Sequence, residues 1–283
     1  MQKNETLLFG TLDHLFIENL RRNVQYSMTS DHYHPYFEIY YLHHGQRVYF
    51  IHDQSYTVEQ GDLVFIKKHI LHKTLIGQSV SHERTIIHFN ESFLFHLPTE
   101  TSNWLLTPFD RPGFVMRLAA NQQYQLEQLF RKILFEMSAK QQGFELILSH
   151  TVQELLVIVS RAMEDQQNFV SPQSDSAIHN KVVEVVRYIN LNFHQPLFLT
   201  DLAKQFYISP HYLSRMFKAV TGFTFSDYVS LIRIKEAQRL LMETDITISN
   251  IATTVGFDNF SHFGKTFKRV THVSPRDYRK SMS

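Results

Sequence analysis

The segment DHYHPYFEIYYLHHG, residues 31–45, places four histidines and a glutamate within fifteen positions. Imidazole and carboxylate groups bind borderline divalent metals, and they also serve as general acids and bases or as the polar wall of a pocket. Side chains alternate along a strand, so an extended reading puts His32, His34, Tyr36, Glu38, Tyr40 and Leu42 on one face. Arg84 is a further polar residue able to join such a pocket. Three readings stand open for it: a metal centre, a pocket for an organic molecule, and satisfied structural histidines. Turnover would need an open coordination position and a substrate-handling base. No residue identifies that base, so the chain is not expected to be an enzyme.

A second set of residues lies near the other end. In SPHYLSRMFKAVTG, residues 209–222, a helix would gather Leu213, Met216, Phe217 and Val220 into one apolar stripe. His211, Ser214, Arg215 and Lys218 then fall on the opposite side. A guanidinium can donate two hydrogen bonds to a guanine edge, and lysines neutralise phosphates, so this face suits DNA. Ser209 is placed to cap this helix, Pro210 to start it and Gly222 to end it.

That stretch belongs to a repeat. FKAVTGFTFSDY (217–228) and FKRVTHVSPRDY (267–278) agree at six positions with an offset of 50. Each copy has the anatomy of a helix-turn-helix. In the first, Thr200 is expected to cap the leading helix; in the second, Asp258 or Asn259 caps the trailing one. Between them, SDYVSLIRIKEAQRLLMET reads as a long amphipathic helix with Tyr228, Leu231, Ile232, Ile234, Ala237 and Leu241 as its buried side.

The elements that must position the first set read differently. From about residue 24 to 90, short runs rich in Tyr, Phe, Ile and Val alternate with turn-like pieces, as in an antiparallel sandwich or barrel. From 115 to 166 the spacing turns helical, with Leu126, Leu129, Ile133 and Met137 on one stripe and Leu146, His150, Leu155 and Val159 on the next. The expected domains are a barrel over 1–114, a helical segment over 115–166, a polar linker over 167–177 and a helical domain over 178–283. Net charge is +1, but residues 1–177 carry 14 basic and 19 acidic side chains against 14 and 8 in residues 178–283. The basic half is the one suited to a polyanion. The chain has no cysteine, which excludes disulfides and thiolate chemistry and fits a reducing cytoplasm, the expected location. No apolar run reaches the ~20 residues of a membrane helix.

The run SPHYLSRMFKAVTG…DYVSLIRIKEAQRLL…ISNIATTVGFDNFSHFGKTFKRV…SPRDYR closely resembles the DNA-binding domain of AraC/XylS-type transcriptional regulators. The resemblance implies two helix-turn-helix units reading successive major grooves of double-stranded promoter DNA. The family's reading positions fall on His211, Ser214 and Arg215 in the first unit, and on Phe260, Ser261, His262, Gly264 and Lys265 in the second. Lys265, Lys268 and Arg269 would meet phosphates. Gly264 stands where a side chain is usual, and His272 replaces the glycine that usually ends that helix.

HYHPYFE with Gly45, and Gly61 with His72, resemble the two motifs of the cupin barrel, although Lys67 and His69 replace the usual proline and glycine of the second. A cupin metal would fall on His32, His34, Glu38 and His72. Tethered to this DNA-binding domain, however, the resemblance implies an effector-binding barrel without a cofactor, using His32, His34, Tyr36, Glu38, Tyr40, His72 and Arg84. Seven of the thirteen tyrosines lie between Tyr26 and Tyr56, which suits a small polar effector such as a carbohydrate. The expected protein is a ligand-responsive regulator, an activator contacting RNA polymerase, dimeric through its middle helices. The alternative is a metal sensor or a metal-dependent cupin enzyme fused to a DNA-binding domain. A fused DNA-repair alkyltransferase is excluded by the absence of cysteine.

Overall fold

The computed structural model describes residues 5–24, 33–111, 113–163, 168–173 and 177–282. They form two compact units that divide between Gln173 and Ser174.

The first unit is built on strands β1 (Glu5–Gly10), β2 (Leu15–Arg22), β3 (Phe37–His44), β4 (Gln46–Ile51), β5 (Gln54–Glu59), β6 (Leu63–Ile66), β7 (His72–Ile76), β8 (His82–Phe89) and β9 (Val115–Met116). They make a six-stranded antiparallel sheet of order β1-β2-β8-β3-β6-β9 and a three-stranded sheet of order β5-β4-β7. The sheet domain therefore starts earlier than the composition suggested, since β1 and β2 precede residue 24. Alternation along β3 decides the packing. Tyr40 and Leu42 join Tyr49, Ile51, Tyr56, Val58 and Ile86 in a core between the two sheets. Ile39 and Tyr41 turn the other way, into a second core with the helices.

Those helices are α1 (Thr99–Leu106), α2 (Ala120–Ala139) and α3 (Phe144–Ala162). Leu126, Leu129, Ile133 and Met137 of α2 are buried as expected. On α3 the buried stripe is Leu148, Val152, Leu155, Leu156 and Val159, while Leu146 and His150 are exposed. Leu155 and Val159 are thus buried as expected, and the departure is confined to the first half of the helix, where Leu148 and Val152 take the buried face instead of Leu146 and His150. The expected linker is also corrected. Residues 168–173 belong to the sheet unit: Met116 bridges Phe169, the Val170 amide donates to the Val115 carbonyl at 2.9 Å, and the Gln173 amide donates to the Ser55 carbonyl at 2.7 Å. Phe169 supplies the reason, since its ring packs on the helix-facing core.

The second unit comprises α4 (Ala177–Asn192), α5 (Leu199–Gln205), α6 (Pro210–Thr221), α7 (Phe225–Glu243), α8 (Ile248–Thr254), α9 (Phe260–Thr271) and α10 (Pro275–Met282). Ser209 caps α6 by accepting from the Tyr212 amide, and Gly222 ends it at φ 78°. Asn259, rather than Asp258, caps α9 by accepting from the His262 amide. The expected cap at Thr200 is not formed: α5 starts at Leu199, with Phe198 before it and Thr200 already inside the helix. Helix α7 serves both halves. Tyr228 packs its ring on Phe217 and Phe223 of the first, and Ile234, Ala237 and Leu241 enter the core of the second with Ile251, Phe263 and Phe267. Ile232 is half-buried.

His272 takes the left-handed conformation at φ 65° where glycine would cost nothing, and its amide still closes α9 on the Lys268 carbonyl. A methyl group built on Gly264 would meet no atom within 4 Å. Gly264→Ala is therefore expected to stabilise the second unit by about 1 kcal/mol, the helix-propensity difference. Urea unfolding followed by circular dichroism checks it, and a destabilised variant would show that the position carries a tighter constraint than the structure contains.

Candidate functional site

Two groups of polar side chains share the interior between the sheets, and strand register places both. Glu38 on β3 lies opposite His88 on β8, and His72 on β7 pairs with Ile51 on β4. Moving along the same faces, Tyr40 follows Glu38, Ile86 and then Arg84 follow His88, Tyr49 and then Arg47 follow Ile51, and Thr74 follows His72. One end of the interior thus holds a histidine–carboxylate knot, and the other an arginine-rich cavity.

In the knot, Glu38 Oε2 is 2.8 Å from His88 Nε2, 3.1 Å from His34 Nε2 and 3.7 Å from His72 Nε2. All four residues are buried. Burial alone would raise the Glu38 carboxyl, but hydrogen bonds from His34, His72 and His88 outweigh it and hold it well below the ordinary carboxylate range. Tyr36 stacks on the His34 ring at a centroid distance of 4.2 Å. His69 adopts φ 59° in the place of the usual cupin glycine, and its amide donates to the His34 carbonyl at 2.8 Å. His32 lies outside the described residues.

The knot also fits a divalent metal. His34, Glu38 and His88 offer ligand atoms that all lie within 4.8 Å of one another. His34 Nδ1 lies 2.9 Å from the Tyr36 carbonyl and His72 Nδ1 lies 2.8 Å from the Ile70 carbonyl. Each contact requires an N–H on Nδ1, the anchoring found for metal-binding imidazoles, and leaves Nε2 to face Glu38. A neutral ring has one N–H for those two acceptors. Burial first of all lowers the pKa of His34, against the pull of Glu38, so its ring favours the neutral form. A shared proton or a cation resolves the contact. His34, Glu38, His72 and His88 would hold such a cation, which would supply Lewis acidity or act as the signal itself.

The cavity is lined by Leu20, Arg22, Tyr40, Arg47, Tyr49, Thr74, His82, Arg84 and Ile86 and measures about 60 Å³. Of the expected effector residues, only Tyr40 and Arg84 reach it. His34, Tyr36, Glu38 and His72 belong to the knot. Sequence reasoning missed His88, Arg22, Arg47 and His82. For His88 and His82 the signal was present: in HERTIIHF, alternation puts His82, Arg84, Ile86 and His88 on one face.

In the second unit, His211, Ser214, Arg215 and Lys218 are exposed and line one shallow groove along α6 with Ala219. The Arg215 guanidinium stacks over the Tyr212 ring at 5.3 Å, which steadies it without a carboxylate. On α9, Phe260, Ser261, His262, Lys265, Lys268 and Arg269 are exposed, with Phe263 and Phe267 beneath. Arg269 lies 3.6 Å from Asp227, so this arginine divides its charge between an acid and any phosphate.

Residues 202–281 match the model of a helix-turn-helix domain, and residues 19–156 match that of the AraC-like ligand binding domain. The chain belongs to the AraC-type transcriptional regulators. It is 26% identical over 258 residues to the HTH-type transcriptional activator RhaS of Salmonella arizonae, covering 88% of this chain and 87% of that protein. To the regulatory protein PocR of Salmonella typhimurium it is 32% identical over 142 residues, 46% of this chain and 47% of that one. Among solved structures, the C-terminal domain of AraT from Geobacillus stearothermophilus is 35% identical, covering 38% of this chain and 88% of that domain with a TM-score of 0.36. The chain thus joins an AraC-like ligand-binding domain to a helix-turn-helix domain. No helix of the described residues is long and apolar enough to cross a membrane.

The buried imidazoles set a pH dependence. Burial pushes His43 and His82 down to about 4, with the nearby arginines adding to the effect at His82. The unfolded chain takes up protons below about 6.5 that these folded rings refuse, so their contribution is complete above that pH and is lost as pH falls toward 4. Urea midpoints are expected to fall between pH 7.5 and 5, and His43→Gln to flatten the slope. Equal midpoints at the two pH values would refute the assignment.

Proposed function

We propose that this AraC-type regulator reads promoter DNA with α6 and α9 and senses a small polar metabolite, carbohydrate-like in its hydroxyls, in the interior between its sheets. The observation that carries this is the pairing of one exposed, acid-free helix face on α6 with an enclosed polar cavity in the other unit. Arg215 reads a base, and Lys265 and Lys268 hold phosphates. Activation, with RNA polymerase as partner, is supported by the likeness to RhaS. A homodimer through α2 and α3 is supported by Tyr124, Phe135 and Leu146, large side chains exposed on those helices. The effector acts by favouring one arrangement of the two units over another through differential affinity. Such a protein works in the cytoplasm, with the DNA.

Arg215→Ala is expected to weaken specific binding by roughly 1–3 kcal/mol and relax preference at one base pair. Lys268→Ala should weaken all sequences equally and lower the salt slope by about one. Binding titrations over a randomised operator library separate the two. An unchanged sequence preference in Arg215→Ala would remove that residue from base reading.

A second reading rests on the two acceptors that flank the neutral His34 ring. In it, a divalent cation on His34, Glu38, His72 and His88 is the signal. Elemental analysis of tag-free protein grown in metal-replete medium is then expected to find about one transition metal per chain, lost in His88→Ala. Metal-free protein that still binds its operator would exclude this reading and leave the organic effector.

A further inference from the structure

The turns of the two helix-turn-helix halves are built alike and packed differently. In the first, the Tyr207 amide donates to the Lys204 carbonyl and the Ile208 amide to that of Ala203. In the second, Gly256 donates to Thr253 and Phe257 to Ala252 in the same pattern. Tyr207 sits at φ 57° and Gly256 at φ 92°. The turn itself therefore accepts a side chain, at some conformational cost. Tyr207 is 91% exposed, so the first turn stands open to solvent. Gly256 is crowded instead. A methyl group built on it would lie 2.8 Å from the Phe193 carbonyl oxygen, 2.9 Å from that of His194 and 3.0 Å from Arg233 Nε. The glycine lets the second turn close on the connection between α4 and α5, which belongs to the first half.

Arg233, near the middle of α7, holds that seam. Its Nε donates to the Phe193 carbonyl and its Nη2 to the Gln195 carbonyl, both at 2.8 Å. The same guanidinium lies 5.7 Å from the centre of the Phe257 ring. Burial first of all lowers its pKa from the ordinary arginine value, and Asp258 of the second turn pulls the other way. Each side of the seam continues to a reading helix. Phe257 meets the rings of Phe263 at 5.3 Å and His262 at 5.5 Å, both on α9. Phe193 follows directly on α4, and α4 packs against α6.

We propose that Arg233 is a positioning residue for DNA reading, locking the two helix-turn-helix halves into one body so that an element held by α6 places α9 over the next. This rests on the reading of α6 and α9 as the DNA-contacting helices. Without the lock α7 still joins the halves, but the second turn can rock on it. The second element then gains less from the first being bound.

Two readouts test this on the full chain. The first needs no DNA. The sequence has no cysteine, so Ala219→Cys on α6 and Lys268→Cys on α9 each accept one spin label. Electron–electron double resonance, with labelled chain diluted into unlabelled chain, reads the distance between them. A narrow distribution is expected, broadened in Arg233→Gln. The second readout compares an operator recovered from a randomised library with the same DNA scrambled in the half that Arg215 does not read. The wild-type preference for the intact operator is expected to fall roughly tenfold in Arg233→Gln, with binding to the scrambled DNA unchanged. Arg233→Lys, which keeps the charge but lacks the fork, should fall between. Gly256→Ala wedges the same seam from the other side and should reproduce Arg233→Gln; it carries the test if Arg233→Gln does not fold. A residue that only stabilises the unit would weaken both DNAs alike and leave the distances narrow, and that result would overturn the proposal. Broad distances with an undiminished preference would uphold the lock and overturn its part in DNA reading. Wild-type protein indifferent to the scrambling would overturn the reading of α9 on which this rests, with the label distances still deciding the lock.

Discussion

A carboxylate buried as completely as that of Glu38 has no water to stabilise it, so it must draw partners from the protein or lose its charge. Everything in the sheet unit conforms to that demand. His88 arrives from the strand directly across, His72 from the opposite sheet, and His34 from the chain just before β3. The three contacts converge on a single oxygen, and so fix how far apart the two sheets stand at that end. The turns obey the same demand: the His69 backbone binds the His34 carbonyl, and His34 and His72 are each anchored through the nitrogen that does not face Glu38. Once that end is closed, the widths at Tyr40, Arg84 and Arg47 follow from strand twist and register alone.

The two faces of the large sheet have different duties. The side toward the small sheet is polar at intervals and carries chemistry. The side toward α2 and α3 is a dry apolar core in which Tyr41 stacks on Phe130 at 4.1 Å. Alternation on one strand connects them, because Tyr40 and Tyr41 are neighbours with opposite assignments. A ligand that shifts β3 moves the seat of the helices too, without any separate relay.

The second unit was legible in the sequence because its signals are local. Ser209, Pro210 and Gly222 bracket one helix within fourteen residues, and the offset of 50 repeats the plan. Thr200 failed as a cap because the chain enters α5 two residues earlier, with Phe198 at the N-cap position and Leu202 and Ala203 buried. In the sheet unit only half of the site could be read. HYHPYFE is compact enough to announce itself, whereas His88 stands fifty positions on at the far end of HERTIIHF, where alternation gives its face but only strand pairing brings it to Glu38. Arg47 reads as the polar start of a hairpin strand, and nothing local predicts that it is buried. The segment 168–173 looked like a tether because the backbone bonds that hold it are made to residues far away in sequence, Val115, Arg117 and Ser55.

Helix α7 spans 19 residues, about 28 Å at the usual rise, and both halves of the second unit are cores built on its sides. In the proposed reading this makes it a gauge block. The distance and angle between α6 and α9 are set by one rigid rod whose two ends are clamped by Tyr228 and Leu241. A promoter that gains or loses one base pair between the two elements it presents would turn one of them about the axis by some 34–36°. The rod has no joint with which to follow. The effector can therefore govern how often this gauge is offered to the DNA, but the interval it measures was settled when the helix folded.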